Sequence, residues 1–158
     1  MGSTRWLDDD EQETWRAFLG ASQCVREALD RQLQRDAGMP HAYYQILAML
    51  SEAERRTLTM TELARRTRSS PSRLSHAVAK LEGKGWVRRC RHSGDHRTTL
   101  ATLTDRGRAE LEATAPGHVE QARLSLFDHL SREQVAQLRD ICRAVLKGAE
   151  EESLLPRG

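Results

Sequence analysis

Residues 59–103 read TMTELARRTRSSPSRLSHAVAKLEGKGWVRRCRHSGDHRTTLATL and contain the start and stop signals of two consecutive helices. Thr59-x-x-Glu62 is a capping box that opens the first, short helix. Ser70 then serves as the N-cap of a second helix, with Pro71 at its first position. This second helix carries an apolar stripe at i, i+3, i+4 and i+7, formed by Leu74, Ala77, Val78 and Leu81. The pattern predicts a helix-turn-helix.

Two strand-like segments follow the second helix. Residues 86–91 are rich in arginine, residues 92–96 have turn chemistry, and residues 97–103 return as a β-branched strand. We therefore predict a β-hairpin directly after the helix-turn-helix. This order of elements is that of a winged helix-turn-helix.

The basic residues are concentrated in this part of the chain. Residues 65–97 hold ten Lys/Arg against two acidic residues, a net charge of +8, while residues 1–36 and 109–152 have net charges of −3 and −4. A basic centre between acidic flanks is typical of a polyanion-binding module carried on helices with another role. The overall charge of +2 conceals this distribution.

Long amphipathic helices are predicted on both sides of the basic centre. The first begins at Asp8, Asp9 or Asp10, ends near Asp36 and is roughly 39 Å long, more than a compact monomer of this size needs. A largely apolar helix at 41–51 and an irregular segment at 52–58 follow it. Beyond Thr104 we predict a helix that Pro116-Gly117 breaks or kinks, a final helix opened by Ser131-x-x-Gln134, and a frayed tail at 150–158.

The predicted fold is mainly α with a small β-hairpin wing. We expect a single domain over residues 1–158, in which residues 40–103 form the winged helix-turn-helix and residues 8–36 and 104–150 form dimerisation helices. The apolar stripe of the first helix should partly contact a second copy of the chain.

A helix with an apolar back and a short polar front can enter the major groove of duplex DNA. Arg73 is long enough to reach a guanine edge or a phosphate, and an arginine of the hairpin can enter the minor groove. The candidate DNA-binding residues are Ser69, Ser70, Ser72, Arg73, Ser75, His76, Lys80, Arg91, Asp95 and Arg97.

The chain resembles the MarR family of bacterial transcription regulators. Ser93-Gly94-Asp95-His96-Arg97, followed by Leu103-Thr104-Asp105-Arg106-Gly107, is similar to the family's D-x-R…L-T-x-x-G signature, and residues 61–64 and 81–87 fit its flanking pattern. The resemblance implies an obligate homodimer on an inverted-repeat operator, usually a repressor released by a small ligand or an oxidant. It also implies that Arg97 is the minor-groove arginine and that Asp95 orients it; an ordinary turn ion pair is the alternative.

Other functions find less support in the sequence. No catalytic motif or phosphate-binding glycine loop is present, so we expect neither an enzyme nor a cofactor. The histidines and cysteines lack metal-ligand spacing, which argues against a dedicated metal site. The three widely spaced cysteines, the lack of a secretory signal and the lack of an apolar run of membrane-spanning length predict a cytoplasmic protein.

The resemblance also places an effector site. Aromatic and histidine side chains occur where the family's ligand cleft lies, and they indicate either a site for a small aromatic or anionic effector or an ordinary aromatic core; these residues are Trp15, Phe18, His41, Tyr43 and Tyr44. We expect Cys24 to be a small buried filler, since it lies about two turns from the family's peroxide-sensing position. A redox- or metal-responsive regulator, and a winged-helix module that docks on protein, remain the alternatives.

Overall fold

The computed structural model describes residues 3–154, and the side chains of residues 3–150. The helices are α1 (Asp9–Ala37), α2 (His41–Glu52), α3 (Met60–Thr67), α4 (Pro71–Gly83), α5 (Asp105–Ser125) and α6 (Arg132–Leu154). The strands are β1 (Thr57–Thr59), β2 (Val87–Arg91) and β3 (Thr99–Leu103), and single 3-10 turns lie at Glu54–Arg56 and Phe127–His129. The predicted fold class, mainly helical with a small sheet, is confirmed.

Local capping explains where the helices begin. Asp8 accepts a hydrogen bond from the Glu11 backbone N–H at 2.8 Å, and the Glu11 carboxylate accepts one from the Asp8 N–H at 3.1 Å. Ser131 and Gln134 form the same reciprocal pair at the start of α6. Both arrangements satisfy backbone donors that a helix N-terminus leaves without partners.

The chain divides into two compact units at residue 121. The core of the first unit is built around α2, because this helix is apolar on most of its surface. It packs with the apolar faces of α3 and α4, with the inner face of the sheet and with the end of α1. The largest fully buried side chains include Leu33, Met39, Ile46, Leu47, Leu50, Leu63, Leu74, Val78, Leu81, Val87 and Leu103.

The sheet has three strands in the order β1-β3-β2, all antiparallel. The sequence predicts only the β2–β3 hairpin, so β1 is a correction. β1 has three residues, too few for an alternating pattern, and follows Arg55 and Arg56, which both have a positive φ. The Thr57 and Thr102 hydroxyls hydrogen bond across β1 and β3 at 2.8 Å.

Two further boundaries differ from the prediction. α5 runs unbroken through Pro116, so of the predicted break or kink the break is wrong, while a kink stays a prediction. Proline has a helical φ and removes one hydrogen bond, a cost that burial of Leu111 and Thr114 on the same helix can offset. α6 continues to Leu154, past the predicted start of a frayed tail; the rest of that tail, residues 155–158, lies outside the described residues.

α1 is uncovered over its first half. Every residue from Ser3 to Ala21 is exposed, and so is Cys24. The expectation that Cys24 fills the core is therefore wrong for the single chain: the helix contacts the core near its C-terminal end, where Gln32 and Leu33 are buried.

Candidate nucleic-acid interface

The second helix of the helix-turn-helix, α4, is built to show one polar face. The Ser70 hydroxyl accepts a hydrogen bond from the Arg73 backbone N–H at 3.3 Å, and Pro71 occupies the first turn. Leu74, Val78 and Leu81 anchor the opposite face in the core. The predicted contact residues Ser70, Ser72, Arg73, Ser75, His76 and Lys80 are all exposed.

The turn before α4 uses one of the predicted contact residues internally. Arg68 ends α3 with a φ of 51°, and the Ser69 backbone N–H donates to the Ala64 carbonyl at 3.0 Å. The Ser69 hydroxyl also accepts a hydrogen bond from the Thr67 hydroxyl at 3.1 Å. Ser69 is half-buried and holds the turn that sets the angle between the two helices.

Asp95 organises the tip of the hairpin through the backbone. Its carboxylate accepts from the Arg97 backbone N–H at 3.0 Å and from the Thr98 hydroxyl at 2.7 Å. The Thr98 hydroxyl, followed by the Arg97 N–H, holds the pKa of Asp95 below its usual range. Asp95 thus fixes the main chain from which Arg97 projects. The role that the resemblance implies for it, orienting Arg97, stays a prediction. In the part of the chain that the structure describes, the Arg97 guanidinium makes no ion pair.

Arg91, the other arginine predicted to bind DNA from the hairpin, is tied to the hairpin itself. Its Nη1 donates to the His96 carbonyl at 2.9 Å. This contact crosses the turn between β2 and β3. Arg91 therefore helps to fix the shape of the tip.

Two glutamates form ion pairs with some of the arginines in the basic region. The Glu62 carboxylate accepts from Arg65 at 2.8 Å and from Arg66 at 2.7 Å, and these hydrogen bonds lower its pKa to about 2. Glu82, at the end of α4, accepts from both the Arg89 backbone N–H at 3.1 Å and the Arg89 Nε at 2.9 Å. The charge predicted from composition is thus partly paired within the protein.

A groove of about 490 Å³ lies between the N-terminal ends of α3 and α4 and the wing. Both polar and apolar residues line it: Thr59, Met60, Thr61, Ala64, Pro71, Leu74, Ser75, Arg89, Arg97, Thr98 and Thr99. Arg89 and Thr61 are not among the contact residues predicted from the sequence. Strand alternation could have indicated Arg89, because it shares a face of β2 with the buried Val87.

The candidate effector residues separate into two groups. His41 stacks on His118 with ring centroids 5.5 Å apart. The ring of Tyr44 also contacts His118, with ring centroids 4.0 Å apart. Tyr43, also on α2, is partly buried. Trp15 and Phe18 contact each other at 6.3 Å but lie far along α1 from Asp30, which accepts from the His41 backbone N–H. At 1.5 Å per residue, Trp15 is roughly 22 Å from Asp30.

His118 is the residue of this cluster that the sequence does not indicate. Burial, followed by the charge of His41, lowers the pKa of His118. Burial also lowers the pKa of His41, against the raising effect of Asp30 and with the lowering effect of Arg26. His118 Nδ1 is buried without a hydrogen-bond partner among the described residues.

Residues 3–154 offer little support for other kinds of site. No group of three or more potential ligands that could hold a metal ion occurs there. Cys24, Cys90 and Cys142 are free and exposed. None of the helices described has the length and apolar character needed to span a membrane.

Comparison with known proteins agrees with this arrangement. A family model described as MarR family matches residues 37–98. Sco3205, a MarR family transcriptional regulator from Streptomyces coelicolor whose crystal structure is in complex with DNA, is 51% identical, with 92% of this chain and 91% of that chain covered and a TM-score of 0.89. The chain belongs to the MarR family. The prediction from the wing signature is confirmed.

Two further MarR-like proteins show how far the similarity extends. AbsC, a MarR family transcriptional regulator from Streptomyces coelicolor, is 34% identical over 94% of this chain and 99% of its own, with a TM-score of 0.88. The HTH-type transcriptional repressor YetL of Bacillus subtilis is 33% identical over 81 residues, 51% of this chain and 48% of that protein. The match thus spans about half the length of that curated relative. MarR family members are transcriptional regulators and not enzymes.

Proposed function

We propose that this MarR family regulator acts as a homodimer that binds a pseudo-palindromic operator in duplex DNA and represses transcription. The observation that carries the proposal is the polar face of α4, exposed along its length and anchored from behind by Leu74, Val78 and Leu81. A helix of this kind can lie in a major groove with its first residues nearest the base edges. Arg97 projects from the neighbouring hairpin and can enter the minor groove.

Two relatives support this assignment. Sco3205, with half of its residues identical to this chain, was crystallised with DNA. YetL is named a repressor, which favours repression over activation. Binding to chromosomal DNA would place the protein in the cytoplasm.

Exposed apolar side chains support the homodimer. Trp15, Phe18 and Leu19 lie on one side of α1 at three- and four-residue spacing and are about half exposed. In the second unit, Ile141 and Val145 of α6 are 60% and 62% exposed. Exposed large apolar side chains at helical spacing commonly mark a protein–protein interface.

The DNA proposal is tested by selection. The purified protein is mixed with genomic fragments, and retained fragments are sequenced and compared with random duplex DNA. We expect pseudo-palindromes with half-sites about one helical turn apart, and affinity that falls steeply with salt. Retention without sequence preference, or affinity indifferent to salt, would reject the proposal.

Substitution of Arg73 and substitution of Arg97 should change DNA binding in different ways. Arg73→Ala should relax discrimination at one base pair by about 1–3 kcal/mol if Arg73 contacts a base edge. Arg97→Ala should weaken binding and reduce the preference for a narrow A/T minor groove. Both are measured by titration against the selected duplex and its single-base variants. Unchanged binding by both variants would contradict the docking arrangement.

We further propose that an aromatic, anionic small molecule binds at His41, Tyr43 and Tyr44 and releases the DNA. The cluster of rings between α2 and α5 supports this, since an aromatic ligand can extend the His41–His118 stack. His118 joins the proposed site, whereas Trp15 and Phe18 would reach it only from another chain. The ligand can release DNA only by binding the DNA-free conformation more tightly, typically by about 1–3 kcal/mol.

Oxidation of cysteine is the competing signal, because all three thiols are exposed. A variant with Cys24, Cys90 and Cys142 replaced by serine separates the two signals. The ligand proposal requires this variant to bind DNA and to respond to an aromatic acid such as salicylate as the parent does. If peroxide releases the parent and not the variant, the cysteines carry the signal.

A further inference from the structure

We propose that Arg89 is a phosphate-binding residue of the DNA interface and that Glu82 positions its guanidinium. The proposal rests on the DNA-binding function proposed above and adds two residues that the sequence analysis does not place in the site. It also gives a role to the groove between α3, α4 and the wing.

The hydrogen bonds of Glu82 fix both the backbone and the side chain of Arg89. Glu82 Oε1 accepts from the Arg89 backbone N–H at 3.1 Å, while Oε2 accepts from Nε at 2.9 Å and lies 2.8 Å from Nη2. A guanidinium has five N–H donors in a rigid plane. The contacts with Glu82 use two of them at one edge of the plane, so three N–H groups remain for an acceptor at the other edges.

The surroundings of Arg89 suit a phosphate. The groove that Arg89 lines is also lined by Thr61, Ser75 and Arg97. Phosphate oxygens accept hydrogen bonds from arginine and from hydroxyl groups, and these contacts set the position of a protein on the duplex. Both arginines are positive, which favours an anion.

The position of the groove also follows from duplex geometry. A sugar–phosphate backbone separates the major groove from the minor groove. If α4 enters the first and Arg97 the second, a backbone must pass between α4 and the tip of the wing. The groove lies at that place, because it is bounded by Pro71 and Ser75 of α4 on one side and by Arg97 and Thr98 on the other.

Glu82 acts against the simple electrostatic expectation. Its hydrogen bonds with Arg89 hold its pKa below the usual range, so it stays ionised at neutral pH and lowers the positive charge near the groove. If charge alone mattered, removing this carboxylate would strengthen DNA binding. If Glu82 positions Arg89, removing it should weaken binding in spite of the added positive charge.

The first test measures how affinity for the duplex that the protein selects from random-sequence DNA depends on salt. Arg89→Met should lower the slope of log affinity against log salt by about 1, the value for one lost phosphate contact. Arg88→Met is the matched control: Arg88 is the adjacent residue of β2, faces the other side of the sheet opposite Thr102, and is exposed. Arg88→Met removes the same charge and should leave the slope unchanged.

Arg89→Lys provides a second test that does not depend on correct folding of Arg89→Met. It keeps the charge but cannot contact Glu82 and a phosphate through one rigid plane. We expect a retained salt slope with affinity reduced several-fold.

The second test concerns Glu82. Glu82→Gln should bind the selected duplex several-fold more weakly, while Glu112→Gln, which makes the same change of charge beside Arg108 on α5, should not. Binding by Glu82→Gln that is equal to or tighter than that of the parent would overturn the positioning role. Equal slopes for the parent and Arg89→Met, or equal losses for Arg88→Met and Arg89→Met, would overturn the phosphate contact while the DNA-binding function stands. A parent that binds no duplex would overturn both.

Discussion

At the scale of single residues, Thr104 and Gly107 show why the L-T-x-x-G part of the family signature is needed. The Thr104 hydroxyl donates to the Gly85 carbonyl at 2.7 Å and accepts from the Gly107 N–H at 3.0 Å. It therefore caps α5 and joins it to the turn before β2. Gly107 is buried, and a Cβ placed on it would overlap the Trp86 carbonyl oxygen and crowd Leu103 Cδ1.

Gly107→Ala should therefore destabilise the protein, by about 1–3 kcal/mol, because backbone must shift to admit the methyl group. Gly20→Ala is the control: a Cβ at Gly20 of α1 meets nothing within 4 Å, and alanine is the better helix former by up to about 1 kcal/mol. Denaturant unfolding at one protein concentration measures both. Equal stability of Gly107→Ala and the parent would show that the approach of α5 to Trp86 is looser than described.

The sequence predicts which residues of α4 are exposed, but it does not predict the contacts within the wing. Helical periodicity places Ser72, Arg73 and His76 on the exposed side, because the apolar stripe fixes the rotation of the helix. The roles of Asp95 and Arg91 depend on which hydrogen-bonding groups lie nearest to their side chains in the hairpin turn. Periodicity carries no information on that choice, so these contacts could be obtained only from three-dimensional geometry.

At the scale of elements, the rings of His41, Tyr44 and His118 join α2 to α5, and the His41 backbone N–H joins α2 to Asp30 of α1. The charged groups facing this cluster are Asp30 and Arg26 of α1. Burial lowers the pKa of both imidazoles from the ordinary value of 6.5. The packed cluster therefore favours neutral rings.

These lowered pKa values predict a pH dependence of stability. Below about pH 6.5 the histidines of the unfolded chain bind protons, whereas those of the folded cluster resist protonation. The free energy of unfolding is therefore highest above this pH and decreases as the pH falls. His118→Phe keeps an aromatic ring beside Tyr44 and should flatten the decrease between about pH 7 and pH 5.5. His129→Phe, at an exposed position, should not.

Denaturant unfolding across this pH range checks the prediction. The slope for His118→Phe is compared with those of the parent and of His129→Phe at one protein concentration. A decrease for His118→Phe that is as steep as that of the parent, or steeper, would contradict it.

Element boundaries were predictable where a side chain caps a helix and less so elsewhere. Asp8, Ser70 and Ser131 mark starts that the structure reproduces. β1 has no such marker: it exists because β3 offers it a partner 45 residues away at Thr102. The continuity of α5 through Pro116 likewise depends on tertiary packing, which overrides the local preference of proline.

At the scale of the whole molecule, the unpartnered apolar residues of α1 predict that the chain is not a stable monomer. Phe18→Arg should shift sedimentation from dimer towards monomer at micromolar concentration, because a charge would be buried in the proposed interface. Gln23→Arg is the control, since Gln23 lies on the polar side of α1 and bonds Glu27. A parent chain that sediments as a folded monomer would contradict the prediction.

The order β1-β3-β2 leaves β2 at the edge of the sheet, and three of its five residues are arginines. A free strand edge can pair with the edge of another molecule and begin aggregation, and charged side chains on the edge oppose this. Arg88, Arg89 and Arg91 should therefore also keep the protein from aggregating when no DNA covers the wing. Replacing all three with threonine, a good strand former, should increase light scattering of the DNA-free protein over time relative to the parent.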